Sequence, residues 1–159
     1  MFVLRFLTDL MNPVSSDRGS VEFQPYGKLK YKKREGGWFG TLDGIVPGNR
    51  VEIFIEGNRN EIQSYKFEMM SEFVANLDSL LERLFGHIHQ NFLDTKWERN
   101  IDELLEMYFL AAISLKGDGE GFWVVLEPSF DVDSIFDLFI RFTIVKDEII
   151  WSNISKRTK

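Results

Sequence analysis

The sequence predicts an α+β fold: a mostly antiparallel sheet with one long amphipathic helix packed on one face, in the order strands, helix, strands. Three observations predict it. Short runs of alternating apolar and polar residues lie on both sides of a single long stretch with helical periodicity. Gly, Pro, Asn and Asp punctuate those runs. The chain has 159 residues, a length that suits one domain, and it shows no repeat or linker that would divide it.

Before the sheet, Val3, Phe6, Leu7, Leu10 and Val14 fit helical spacing while Phe2, Leu4 and Phe6 fit a strand; a short helix ended by Asn12–Pro13 is the expectation. Residues 1–20 form an N-terminal segment that closes in a polar loop, Ser15 to Ser20. Strands are expected at Val21–Phe23, Gly27–Lys33, Trp38–Leu42 and Val51–Glu56. Asp43–Gly48, with Gly44, Pro47 and Gly48, reads as a turn.

From Tyr65 to Phe92 the period changes. Phe67, Met70, Phe73, Val74, Leu77, Leu80, Leu81, Leu84 and Ile88 recur at steps of three and four, with Glu68, Glu72, Asn76, Asp78, Glu82 and Arg83 between them. Ser64 is the expected N-cap, and Gly86 is a candidate kink in the last turn. Each large apolar side chain such a helix buries contributes about 1.5–3 kcal/mol, so one sheet face is expected to lie beneath it.

A shorter helix is expected at Trp97–Glu106, then strands at Tyr108–Leu115 and Phe122–Glu127 joined by the glycine-rich turn Gly117-Asp118-Gly119-Glu120-Gly121. A last hairpin is expected from Leu138–Val145 and Ile149–Ile154 across Lys146–Glu148, and Ser155–Lys159 reads as a frayed basic tail. The whole chain, residues 1–159, is read as one domain.

Composition narrows the function. Cys is absent, which excludes disulfides, a thiol nucleophile and thiolate metal sites. A formal net charge of −6 disfavours nucleic acid and favours basic partners. Arg5, Thr8 and Asp9 break the apolar start, so it fails as a signal peptide, and no apolar run reaches the roughly 18 residues of a membrane helix. A cytoplasmic protein that engages neither membrane nor nucleic acid is the expectation.

The reactive residue types do not assemble into a motif. His87 and His89, the 2 histidines, would point roughly 200° apart on a helix and cannot share a metal. Asp131, Asp133 and Asp137 lack the Gly and Glu of a calcium loop. Asp118 and Glu120 sit where a hairpin turn selects Asp and Gly for backbone reasons. No catalytic residue, metal ligand or cofactor site is assigned, and no enzymatic activity is expected. Lys28, Lys30, Lys32, Lys33 and Arg34 form the basic cluster. Its first three members share one side of a strand while Tyr31 takes the other, so the cluster reads as a solvated face that discourages edge pairing.

The second sheet face is the more informative one. If Val51, Ile53, Ile55, Ile113, Leu115, Leu138, Ile140, Phe142 and Ile144 meet the helix, the opposite pleat carries Phe54, Trp123, Val125, Phe139 and Val145, with Arg141 and Thr143 among them. A solvated antiparallel face is normally polar. Either residues 1–14 cover this one, or Phe54, Trp123, Phe139 and Arg141 form an interface. A one-residue register slip would exchange the two faces.

Gly37-Trp38-Phe39-Gly40 ahead of a strand, the long helix, and the late strand Asp137-Leu138-Phe139-Ile140-Arg141-Phe142 together resemble small uncharacterised bacterial domain families, across residues 36–154. Members of those families are often encoded beside polymorphic toxins and are suspected immunity proteins. The resemblance implies an α+β binding protein without catalytic residues. The functional expectation is a non-enzymatic protein–protein interaction domain, monomeric or homodimeric. It would be an immunity protein that neutralises a basic toxin through acidic complementarity and aromatic anchors. A small-molecule-binding or sensory domain with a pocket between helix and sheet is the alternative.

Overall fold

Alternating apolar residues place four strands at the start of the sheet: β1 (Ser20–Phe23), β2 (Gly27–Lys32), β3 (Gly37–Val46) and β4 (Asn49–Glu56). Three helices follow, α1 (Ser64–Ala75), α2 (Leu77–Phe92) and α3 (Ile101–Met107). Four more strands complete the order: β5 (Tyr108–Lys116), β6 (Gly121–Pro128), β7 (Ile140–Val145) and β8 (Glu148–Ser152). This computed structural model describes residues 19–59, 64–117, 121–129 and 139–154. The helix expected within residues 1–14, Asp118 and Glu120, the Asp131–Asp137 loop, Leu138 and the tail at 155–159 lie outside the described residues.

The eight strands form one sheet in sequence order. Every neighbouring pair is antiparallel except β4 and β5, which run parallel from Glu52↔Ala112 to Ile55↔Leu115. A parallel pair cannot be closed by a hairpin and needs a crossover. All three helices lie in that crossover. They bury Phe67, Met70, Leu84, Ile88, Phe92 and Leu104 against Leu29, Ile53, Ile113, Val124 and Phe142 of the sheet.

The single long helix expected from Tyr65 to Phe92 is two helices, so the order is four strands, three helices and four strands. The break falls at Asn76, whose φ of −104° and ψ of 14° leave the helical basin. Its side-chain Nδ2 turns back to donate to Glu72 O at 2.9 Å, and its backbone N–H is shared between Glu72 O and Phe73 O, both at 3.2 Å. A short amide side chain competes with the main-chain ladder in this way. Gly86 lies inside α2 and does not interrupt it.

Two other expected boundaries shift for local reasons. Asp43–Val46 is not a turn but the end of β3, with a register irregularity between Leu42 and Val46. Only Pro47 and Gly48 make the turn, Gly48 with a φ of +79°. The shorter helix, α3, starts at Ile101 and not at Trp97, because Asn100 caps it: Glu103 N donates to Asn100 Oδ1 at 2.9 Å and Asn100 N to Glu103 Oε2 at 2.8 Å.

The Gly-Trp-Phe-Gly run has a steric cause. A Cβ on Gly37 would lie 2.5 Å from Ile55 O, and one on Gly40 would lie 2.7 Å from Lys28 O. The glycines let β3 sit tightly between its neighbours, Trp38 is buried under the helices, and Phe39 projects from the other face.

Lys66, in the first turn of α1, is buried. Its ammonium donates to Glu56 O at 2.9 Å and Gly117 O at 2.6 Å, while Gly117 N donates to Glu56 Oε2 at 2.8 Å. One cation thus ties the helix start to the ends of both parallel strands. Lys66→Met keeps the aliphatic stem and strands two carbonyls, so it is expected to destabilise the fold by about 2–4 kcal/mol, read from urea unfolding. An unchanged midpoint would show that water satisfies those carbonyls. Gly40→Ala is expected to cost about 1–3 kcal/mol through the clash with Lys28 O, on the same assay.

Candidate functional site

Residues that alternate away from the helices line up across the sheet. The register pairs Lys30 with Phe39, Phe39 with Phe54, Phe54 with Ser114, Ser114 with Trp123, Trp123 with Thr143, and Thr143 with Trp151. At about 4.8 Å between strands, the stretch from β3 to β8 spans roughly 24 Å. Ser114 and Thr143 are small, and long cations from adjacent positions fill the gaps they leave. Lys116 Nζ sits 4.2 Å from the Trp123 ring centroid and 5.8 Å from that of Phe54. Arg141 Cζ sits 4.7 Å from Trp123 and 5.0 Å from Trp151. The result is an alternating series, Phe54, Lys116, Trp123, Arg141, Trp151, at cation–π distances.

Asn153 holds the Arg141 end in place. Its Oδ1 accepts from Arg141 N at 2.8 Å and its Nδ2 donates to Phe139 O at 3.0 Å. Phe139, just ahead of β7, is 47% exposed, and Ile150 and Trp151 on the edge strand are 59% and 45% exposed. Among the described residues no carboxylate pairs with Lys116 or Arg141, whereas Lys28 pairs with Glu22 at 3.2 Å and Arg50 with Asp43 at 3.3 Å. Arg141 Nε is buried without an acceptor.

Of the four residues expected to form an interface, Phe54, Trp123 and Arg141 are thus brought together, and Phe139 flanks them. Sequence pattern does not single out Phe39, Lys116 or Trp151. Their parity is readable, but their position in the row depends on inter-strand register, which the parallel joint sets. The three lysines of β2 share this face with Phe39 and Phe54, while Tyr31 packs edge-on against Trp38 at 5.4 Å on the core side.

Charge is divided between the two sides of the molecule. The helical segment, residues 64–107, carries Glu68, Glu72, Asp78, Glu82, Asp94, Glu98, Asp102, Glu103 and Glu106 against Lys66, Arg83, Lys96 and Arg99, a balance of −5 within the chain's −6. The sheet face opposite α1, α2 and α3 mixes Lys28, Lys30, Lys32, Lys116 and Arg141 with Glu22, Glu52, Glu56 and Glu127. The acidity that would attract a basic partner therefore belongs to the helical side.

A second concavity lies between α1, α2, β6 and the β7–β8 turn. Two adjoining spaces of about 530 and 460 Å³ share Met69, Phe73, Phe122 and Asp147. Phe73 and Phe122 stack on its floor, centroids 3.8 Å apart and planes inclined by 17°. Lys146 and Asp147 form a two-residue turn with φ of 48° and 63°, a conformation unfavourable for residues with a Cβ. Arg83 Nη1 donates to Asp147 O and holds that turn against α2.

The histidines stay apart. His87 meets the Phe142 ring edge-on at 5.8 Å, and His89 Nδ1 lies 2.8 Å from Arg99 O. Among the described residues no group of three His, Asp or Glu could hold a metal ion, and no helix is long and apolar enough to cross a membrane. Burial pushes the His87 pKa below its ordinary 6.5. The unfolded chain therefore takes up this proton first on acidification. Stability is expected to decline as pH falls from about 6.5 towards the folded pKa. His87→Gln should flatten that part of a urea-midpoint profile, and an unaltered slope would locate the dependence elsewhere.

Compared with protein-family models, with curated proteins and with solved structures, the chain matches none, so function has to be argued from these surfaces themselves.

Proposed function

We propose that the chain is a non-enzymatic protein-interaction domain that docks its partner on the sheet face opposite α1, α2 and α3. The observation that carries this reading is the row Phe54, Lys116, Trp123, Arg141, Trp151, with Phe139 at its end. Trp and Arg are the residue types that dominate interface energetics when a partner seals them from water. In the immunity-type reading implied by the resemblance, the partner is a bacterial toxin. A basic toxin would also feel the acidic helical side, which speeds encounter more than it tightens the complex.

The test is co-expression with the product of the adjacent gene, followed by calorimetry on the purified pair. A complex is expected, with Trp151→Ala weakening it by about 2 kcal/mol, roughly 30-fold in Kd. Absence of any complex with adjacent gene products, or full affinity in both Trp151→Ala and Trp123→Ala, overturns the proposal. Light scattering separates a partner from a second copy of the chain.

The cleft floored by Phe73 and Phe122 favours a second reading, a small-molecule-binding or sensory domain. A metabolite screen by thermal shift tests it, since a ligand of the folded state raises the midpoint by mass action. The expected hit loses its effect in Phe73→Ala; a screen without hits removes this reading.

A further inference from the structure

Arg141 is placed unlike an ordinary surface arginine. Its guanidinium carbon lies over two indoles on the strands either side of its own, 4.7 Å from the Trp123 ring centroid and 5.0 Å from that of Trp151. Its Nε is shut off from solvent without an acceptor, and no side-chain hydrogen bond of Arg141 exists among the described residues. Only Nε is enclosed in this way; the guanidinium's other four N–H donors are on the two Nη atoms. Its own chain offers no carboxylate to them among the described residues.

We infer that Arg141, clamped between Trp123 and Trp151, is a carboxylate receptor that takes an Asp or Glu side chain of the docked partner; this rests on the docking reading above. The planar guanidinium fork matches a carboxylate with two parallel hydrogen bonds. The flanking indoles exclude water from that contact and fix the fork's direction. Lys116, the other unpaired cation of the row, adds positive potential on the far side of Trp123. Nucleic acid fits the same surface poorly. Base stacking needs open ring faces, and two cations, Lys116 and Arg141, already lie over the Trp123 ring. Glu52, Glu56 and Glu127 on this face would also repel a phosphate backbone.

The test uses two acetylated, amidated pentapeptides, Leu-Glu-Phe-Glu-Leu and its Gln counterpart, titrated against the full chain while Trp emission is followed. The Glu peptide is expected to bind about tenfold more tightly than the Gln peptide. Arg141→Gln should reduce that preference to about twofold or less, and Arg141→Lys, which keeps the charge and loses the fork, should lose most of it. Urea midpoints within error of the wild type show that the variants fold. Equal affinity for the two peptides, or a preference that survives Arg141→Gln, overturns the inference, as does failure of both to bind. If both bind equally and Trp151→Ala abolishes both, the face is a docking surface and only the carboxylate assignment falls. Tighter binding of oligouridylate than of the Glu peptide replaces the partner class with nucleic acid. Self-association that disappears in Arg141→Gln would make a second copy the occupant. Either result also overturns it.

Discussion

The parallel pairing of β4 with β5 is the constraint on which the rest of the molecule depends. Each flanking group of four strands needs only hairpins and longer antiparallel connections, but the joint between them cannot be made by a short turn. The chain must leave the end of β4, travel the length of the sheet and re-enter at the start of β5. Residues 57–107 make that journey, and the three helices they form all cover one face. Lys66 secures the departure point by bonding carbonyls at the ends of both parallel strands. Because the crossover lies on one side, Phe39, Phe54, Trp123 and Trp151 fall on the face opposite α1, α2 and α3.

This explains which parts of the fold are legible in the sequence. Strict alternation, as in Val51, Ile53 and Ile55 or Ile140, Phe142 and Ile144, fixes which residues face the helices, because pleat parity is a local property. The 3.6-residue pattern identifies the segment from Tyr65 to Phe92 as helical. It does not reveal the break at Asn76, since the apolar stripe continues through it while one amide side chain diverts the ladder. Residues 43–46 look like a turn because Gly44 sits among them, yet an irregular strand end also uses a glycine at φ +82°. In each case a single side chain or dihedral overrides the pattern around it.

The candidate surface divides along the same line. Phe54, Trp123 and Arg141 are recognisable from parity alone. Their assembly into one row is not, because Phe54 meets Ser114 only through the parallel joint, whose register links residues 60 apart in sequence. Net charge misleads for a related reason. The value of −6 suggests an acidic surface everywhere, but a balance of −5 falls on residues 64–107, where 9 carboxylates face only four cations on helices whose solvent side is polar. The opposite sheet face carries Glu22, Glu52, Glu56 and Glu127, but it sets beside them aromatic rings and two cations, Lys116 and Arg141, that have no carboxylate partner among the described residues.

Stability does not account for that choice. Exposed cation–π contacts contribute about 0.5–1 kcal/mol each, so the four in this row together are worth about as much as one or two buried core side chains. Thr at the same positions would satisfy strand propensity equally, and Lys would discourage aggregation. Holding Trp151 and Ile150 at 45% and 59% exposure on an edge strand works against the second aim. A guanidinium with a buried, unpartnered Nε adds a desolvation cost. Asn153, bonding both sides of Ile140, nevertheless holds this strand end to a fixed geometry, and the docking proposal rests on that geometry. The helices determine that the sheet exists; the row on its other face is what the sheet presents.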